Sequence, residues 1–246
     1  MSQNYKMIIQ YEGTRYDGWQ KQGNTENTIQ GRLEKVLERM AGCPVEVHGS
    51  GRTDAGVHAM GQVANFHLPD GCRPDAEWIR TYLNQYLPDD IAITELIMVP
   101  ERFHSRLSAV KKIYTYQIET GTKKNVFSRR TCYGLGQALD ITAMQKAAEL
   151  LCGTHDYKSF CGNKKMKKST VRTIYRIAVE QQPGEAGVRG NGLFTEYGTD
   201  PGRYADRGGD RKAGAGQYAG DSCCIGPSGS RLHGTGRRTL SAAGIL

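Results

Sequence analysis

No run of apolar residues in this chain approaches the length of a membrane span. A helix crossing the hydrocarbon core needs about 20 of them in succession, so no membrane association is expected. The opening residues 1–6 are polar and lack the apolar stretch of a secretory leader. Cysteine is present without a framework: its seven positions are scattered, odd in number and contain no CxxC pair. That argues against a disulfide-stapled secreted domain and for reduced thiols in the cytoplasm. Neither cysteine nor histidine recurs at zinc-ligand spacing, so no metal is expected.

The 246 residues suffice for one large or two small domains. The formal net charge is +8, which favours a polyanionic partner but equally suits a merely soluble basic protein. Hydrophobic spacing gives the organisation. Residues 6–12 read as a strand through Met7, Ile8 and Ile9. Thr28 is a candidate N-cap for a helix to about Met40, with Ile29, Leu33, Val36, Leu37 and Met40 on one face. Strands are expected at 45–48, 61–68 and 91–99. A helix is expected at 75–86, with Trp78, Ile79, Leu83 and Tyr86 as its buried stripe. The first half is thus β-α-β-β-α-β. The second half starts alike, with strands at 108–119 and 171–181 around a helix at 141–151 that carries Ala143, Met144, Ala147, Ala148 and Leu151.

The densest chemistry lies in Gly51-Arg52-Thr53-Asp54-Ala55-Gly56-Val57-His58-Ala59. One carboxylate, Asp54, stands between a cation, a hydroxyl and two glycines. Such a loop can present an acid to a ligand, because glycine lets backbone approach closely, and Arg52 can hold a phosphate or pair with the acid. On composition alone a polar turn between two strands is the better reading, with His58 merely packing. A second cluster, Asn163-Lys164-Lys165-Met166-Lys167-Lys168-Ser169, puts four lysines into five residues. It serves equally as a solvated loop or as a set of phosphate contacts.

Several segments occur in a telling order. Tyr11-Glu12-Gly13-Thr14-Arg15-Tyr16-Asp17-Gly18-Trp19-Gln20-Lys21-Gln22 comes first, then Thr28-Ile29-Gln30-Gly31 and the Asp54 run. Gln62-Val63-Ala64-Asn65-Phe66, Phe103-His104-Ser105-Arg106 and Lys112-Ile113-Tyr114-Thr115-Tyr116 follow. Gly153-Thr154-His155-Asp156-Tyr157-Lys158-Ser159-Phe160 and Thr170-Val171-Arg172-Thr173-Ile174 complete the set. Over residues 4–192 this series resembles the tRNA pseudouridine synthase A family. The resemblance implies an α+β fold of two ferredoxin/RRM-like halves whose antiparallel sheets meet at a central cleft. It divides the chain into an N-terminal half over 1–105, carrying the Asp54 loop, and a C-terminal half over 106–192. It implies isomerisation of uridine to pseudouridine at positions 38, 39 and 40 of the tRNA anticodon arm, by a cytoplasmic homodimer without cofactor or metal. Asp54 matches the family's catalytic carboxylate, Arg52 an arginine that holds the flipped-out nucleotide, and Tyr114 an active-site tyrosine. For Tyr114 alone a core aromatic would be the better reading; its place in the motif reverses that. Arg106 and Arg172 are candidates for phosphate binding or for pairing within the chain. Tyr11, Trp19 and Gln20 are read as building the fold. Two alternatives are an RNA-binding relic without catalysis and a synthase acting at another RNA site.

The chain changes character after Gly192. Residues 193–246 hold 12 of the 31 glycines, no valine and two isoleucines, so no strand or helix is expected there. Gly190-Asn191-Gly192 begins a family motif that Leu193-Phe194 then misses. Back-translated and read one base later, Thr195 to Tyr204 can give R-N-M-V-R-I-L-A-G-T, which resembles the family's continuation. An altered reading frame near Gly192 accounts for this, and 193–246 is then an out-of-frame tail without fixed structure. The second half would lack its last elements and the arginine of that motif.

Overall fold

The computed structural model describes residues 2–123, 125–161, 169–182, 189–198 and 223–225. The first half runs β1 (Gln3–Tyr11), α1 (Ile29–Ala41), β2 (Val47–Gly49), β3 (His58–Leu68), α2 (Ala76–Tyr86), β4 (Ile91–Val99), in the expected order. Strand β1 lies between β3 and β4, antiparallel to both, and β2 pairs along β3.

Local chemistry sets the helix ends. The Thr28 hydroxyl accepts from the Gly31 amide, and Gly42, at φ 71°, closes α1 in the left-handed conformation, which costs a glycine little. Asp75 accepts from the Glu77 and Trp78 amides at the start of α2, where an anion also meets the positive end of the helix dipole. α1 buries Ile29, Leu33 and Leu37, with Val36 and Met40 partly covered. These side chains close a core with Tyr5, Met7, Ile9, Phe66, Leu68, Ile93 and Leu96. Each fully buried side chain of this size contributes about 1.5–3 kcal/mol.

The stripe expected on α2 needs correction. Ile79 and Leu83 are buried, but Trp78 is 52% and Tyr86 39% exposed. Trp78, Tyr82 and Tyr86, four residues apart, form a ridge of their own, with centroids 5.4 and 4.6 Å apart. Arg39 of α1 lies 4.4 Å over the Tyr86 ring. Neighbouring turns of one helix satisfy these rings without the core.

The second half comprises β5 (Lys111–Glu119), β6 (Tyr133–Gly134), α3 (Ile141–Leu151), β7 (Gly153–Asp156), β8 (Val171–Gln182), β9 (Arg189–Gly198) and β10 (Cys223–Ile225). Its antiparallel group is ordered β5-β9-β8-β7. β10 joins it to the first half, lying antiparallel to β3 and parallel to β5. The result is a mixed α/β fold with mainly antiparallel pairing. Of the α3 residues, Ala148 is buried.

Strand β9 corrects the expectation at Gly192. It continues through Leu193-Phe194-Thr195-Glu196-Tyr197 to Gly198, pairing with β5 on one side and β8 on the other. Aromatic residues and threonine suit a strand, and two waiting edges make the extension favourable despite the change of composition. Of the rest of the tail, 199–222 and 226–246 lie outside the described residues.

Candidate active site

Residues 50–57 connect β2 to β3, and the segment just after β1 braces them from behind. The Trp19 amide donates to the Thr53 carbonyl at 3.0 Å and the Gly56 amide to the Tyr16 carbonyl at 3.3 Å. The Tyr11 and Thr53 hydroxyls are 2.8 Å apart. The chains approach so closely that side chains are excluded. A Cβ on Gly13 would lie 1.9 Å from the Val57 carbonyl oxygen, and one on Gly18, at φ 97°, 2.7 Å from that of Thr53. From β3, buried Gln62 donates to the Gly51 carbonyl at 2.7 Å. Within the loop the Val57 amide donates to the Asp54 carbonyl at 3.2 Å.

The main chain is thus held at both ends while Asp54 and Arg52 remain exposed. Both line an open cavity of about 560 Å3, with Asp17, Gln20, Lys21, Gln22, Thr53 and Ala55. Asp17 accepts from the Thr25 hydroxyl at 2.6 Å and Lys21 lies 3.4 Å from Glu34. A fixed backbone presenting a solvent-facing carboxylate suits proton transfer or attack on a ligand.

His58 packs, as the composition suggested, but in a polar setting. It is 3% exposed. Its Nδ1 accepts from the Gly13 amide at 3.2 Å, so Nε2 carries the hydrogen and donates to the Arg130 carbonyl at 2.7 Å. The Arg130 guanidinium in turn reaches Glu12 at 2.9 Å. Burial works to raise the Glu12 pKa. The hydrogen bonds from Thr14 and the charge of Arg130 oppose it and hold the carboxyl below its ordinary range. A loop of the second half is thereby fastened to the end of the Asp54 loop. Glu12 and Arg130, 118 residues apart, carry no local signal that could have linked them.

The remaining site residues are dispersed. Tyr114 lies on β5, partly buried against the first-half core, and pairs through the backbone with Cys224 of β10. Cys224 pairs in turn with Ala59 at the start of β3. Arg106 is exposed, its amide donating to His104 Nδ1 at 3.2 Å. The Arg172 guanidinium turns onto the carbonyls of Ser169 and Val171, at 2.9 and 2.7 Å. It stands on β8, whose place in the sheet is well removed from β3. Lys164, Lys165, Lys167 and Lys168 lie outside the described residues. Lys112 is a cation that the sequence reading passed over: a Cβ on Gly51 would sit 2.9 Å from its Nζ. Its position two residues before Tyr114, on the same strand face, was the available signal.

Among the described residues no group of three or more His, Cys, Asp or Glu could hold a metal ion. No helix among them is long and apolar enough to cross a membrane.

A braced loop on a mainly antiparallel sheet, holding an exposed carboxylate beside basic residues, defines a site equipped for acid–base or nucleophilic chemistry. The family model for tRNA pseudouridine synthase matches residues 7–107 and 147–196. The chain is 46% identical over 186 residues to tRNA pseudouridine synthase A of Bacillus sp. (strain KSM-64), covering 76% of this chain and 75% of that one. It is 43% identical over 189 residues to tRNA pseudouridine synthase A 1 of Clostridium tetani, covering 77% and 76%. The Chlamydia trachomatis tRNA pseudouridine synthase A is 42% identical over 197 residues, covering 79% and 73%. The chain belongs to the tRNA pseudouridine synthase family, a family of isomerases.

Proposed function

We propose that the chain isomerises uridine to pseudouridine at positions 38, 39 and 40 of the tRNA anticodon arm, with Asp54 as the catalytic carboxylate. The observation that carries this is the exposure of Asp54 on the cavity wall above a main chain braced by Tyr11, Trp19 and Gln62. The reaction breaks the N1–C1′ bond, turns the uracil, and forms a C5–C1′ bond. The C5 proton is lost to solvent and N1 gains one. A carboxylate can attack a carbon centre or remove a proton and then depart. The target must first leave the stack, at about a few kcal/mol; Arg52, exposed on the same cavity wall as Asp54, is assigned to hold it outside. Tyr114 is assigned to the uracil ring, and Arg106, Arg172 and the lysines from Lys164 to Lys168 to the RNA backbone. The active form is a cytoplasmic homodimer, with one tRNA spanning both copies. The organisation behind this is a first half over 1–105 and a second from 106.

Tritium release from tRNA labelled at C5 of uridine tests the reading. The chain should release label from positions 38–40, and Asp54→Asn should release none while still binding tRNA. Release by Asp54→Asn at the parent rate would overturn the role of Asp54; release from other positions would overturn the site.

A second reading has its own support. The family match ends at residue 196, close to the change of composition at 192. We infer that the sequence beyond is an out-of-frame continuation, which lowers the activity of the chain as written or leaves a tRNA-binding relic. The nucleotide sequence across the codons for Gly190 to Tyr197 tests this: an extra base there supports it, and one uninterrupted frame matching the relatives would make the tail an artefact.

A further inference from the structure

We propose that Lys112 is a substrate-binding residue, its ammonium taking a phosphate of the nucleotide presented to Asp54. The assignment rests on the proposed tRNA reading and adds to it a contact from the second half. Strand β5 brings Lys112 against the loop so closely that a Cβ on Gly51 would lie 2.9 Å from Nζ. The loop cannot yield there, because the Gly51 carbonyl is held by buried Gln62 and the Ser50 amide by the Val63 carbonyl. Lys112 and Tyr114 alternate onto the same face of β5, and Tyr114 meets the first-half core. That face is therefore turned toward the Asp54 loop.

Charge supplies the second argument. The cavity wall carries Asp17 and Asp54 against Lys21 and Arg52, a balance that gives no net attraction for a phosphodiester. Lys21 is already engaged with Glu34. A polyanion entering beside two carboxylates needs a further cation close to the loop, and Lys112 meets the loop at Gly51, three residues before Asp54. A compact ammonium is suited to one phosphate oxygen as a point charge.

The test is tRNA affinity of the full chain against salt, with an unmodified transcript. Lys112→Gln should weaken binding up to ~10-fold and reduce the log–log salt slope by about 0.7–0.9, the value of one phosphate contact. Lys112→Arg should keep the slope. A parallel slope in Lys112→Gln overturns the assignment. A parent chain that binds no tRNA overturns the tRNA reading itself, so the two failures are distinct. Where Lys112→Gln does not fold, lysine acetylation of the parent decides: tRNA should protect Lys112 but not exposed Lys35 on α1. Equal Lys112 modification with and without tRNA overturns the proposal.

Discussion

The hydroxyls of Tyr11 and Thr53 lie 2.8 Å apart, joining the end of the first strand to the residue before Asp54. Tyr11 is 4% exposed, so the bond is shielded from competing water. Tyr11→Phe removes the oxygen and keeps the ring. It should cost about 0.5–1.5 kcal/mol in urea unfolding, the net value of one hydrogen bond. Because the lost bond orients the loop without touching substrate, kcat should fall several-fold with KM little changed. An unchanged kcat beside a lowered stability would make the pair purely structural.

The glycines of the brace give a sharper contrast. Gly13→Ala puts a Cβ 1.9 Å from the Val57 carbonyl oxygen, whereas nothing lies within 4 Å of a Cβ on Gly23. Forcing backbone apart costs at least the ~1–3 kcal/mol typical of overpacking. Gly13→Ala should therefore unfold at much lower urea and lose turnover. Gly23→Ala should stay within about 0.5 kcal/mol of the parent. Comparable midpoints for both would contradict the close approach.

Periodicity made much of this fold legible, and long-range closure did not. Strand Ile91–Val99 and helix Ile141–Leu151 have the bounds their spacing indicates. The caps Thr28 and Asp75 act through side-chain chemistry visible in the sequence. β3 begins at His58 instead of Gly61, because Ala59 still pairs with Tyr11. Trp78 and Tyr86 are outside the core because aromatic residues spaced by four can stack on one another. The Asp54 loop was evident as a motif, but its brace joins residues such as Tyr11 and Thr53, 42 positions apart. The approach of Lys112 to Gly51 is equally a product of how strands are ordered in the sheet.

Asp90 should make stability depend on acid. It accepts from the Tyr16 hydroxyl at 2.5 Å and from Arg15. Burial works to raise its pKa, but the Tyr16 hydroxyl and the Arg15 guanidinium together pull it below the ordinary carboxylate value. A depressed folded pKa stabilises the fold above the unfolded value, near 3.8, and this contribution fades as pH falls through the folded value. Asp90→Asn should cost about 1.5–3 kcal/mol at neutral pH and flatten the stability profile below pH ~4. A variant profile parallel to the parent's would refute this.

His104 acts at milder pH. It stacks on His48 with ring centroids 5.0 Å apart. Burial lowers its pKa below 6.5, and His48, Arg106 and His67 add to the effect. The folded state therefore takes up the proton less readily than the unfolded chain. Stability is full above the unfolded value of 6.5 and declines as pH falls from there toward the folded value. His104→Phe keeps a ring for His48 and removes the titration. Its melting temperature should fall less than the parent's on acidification from pH 7 to pH 5, and an equal fall would exclude His104 as a source.

The inferred frame change also predicts a stability difference. Strand β9 keeps β5 and β8 paired as far as Gly198, which spares the centre of the second-half sheet. Beyond it the chain contains no valine and only Ile225 and Ile245 as β-branched aliphatics, so little apolar surface is offered to α3 and the exposed sheet. A chain whose codons after Gly192 are read one base later can supply the M-V-R-I-L run instead. Each additional large side chain buried is worth about 1.5–3 kcal/mol, and 1 kcal/mol moves the midpoint of a domain this size by about 2–4 °C. Two or three such side chains should therefore raise Tm by at least about 6 °C. Turnover should rise with it, since the restored sequence brings back the arginine of the family motif. Equal melting temperatures and turnover for the two chains would mean that the tail as written already completes the fold.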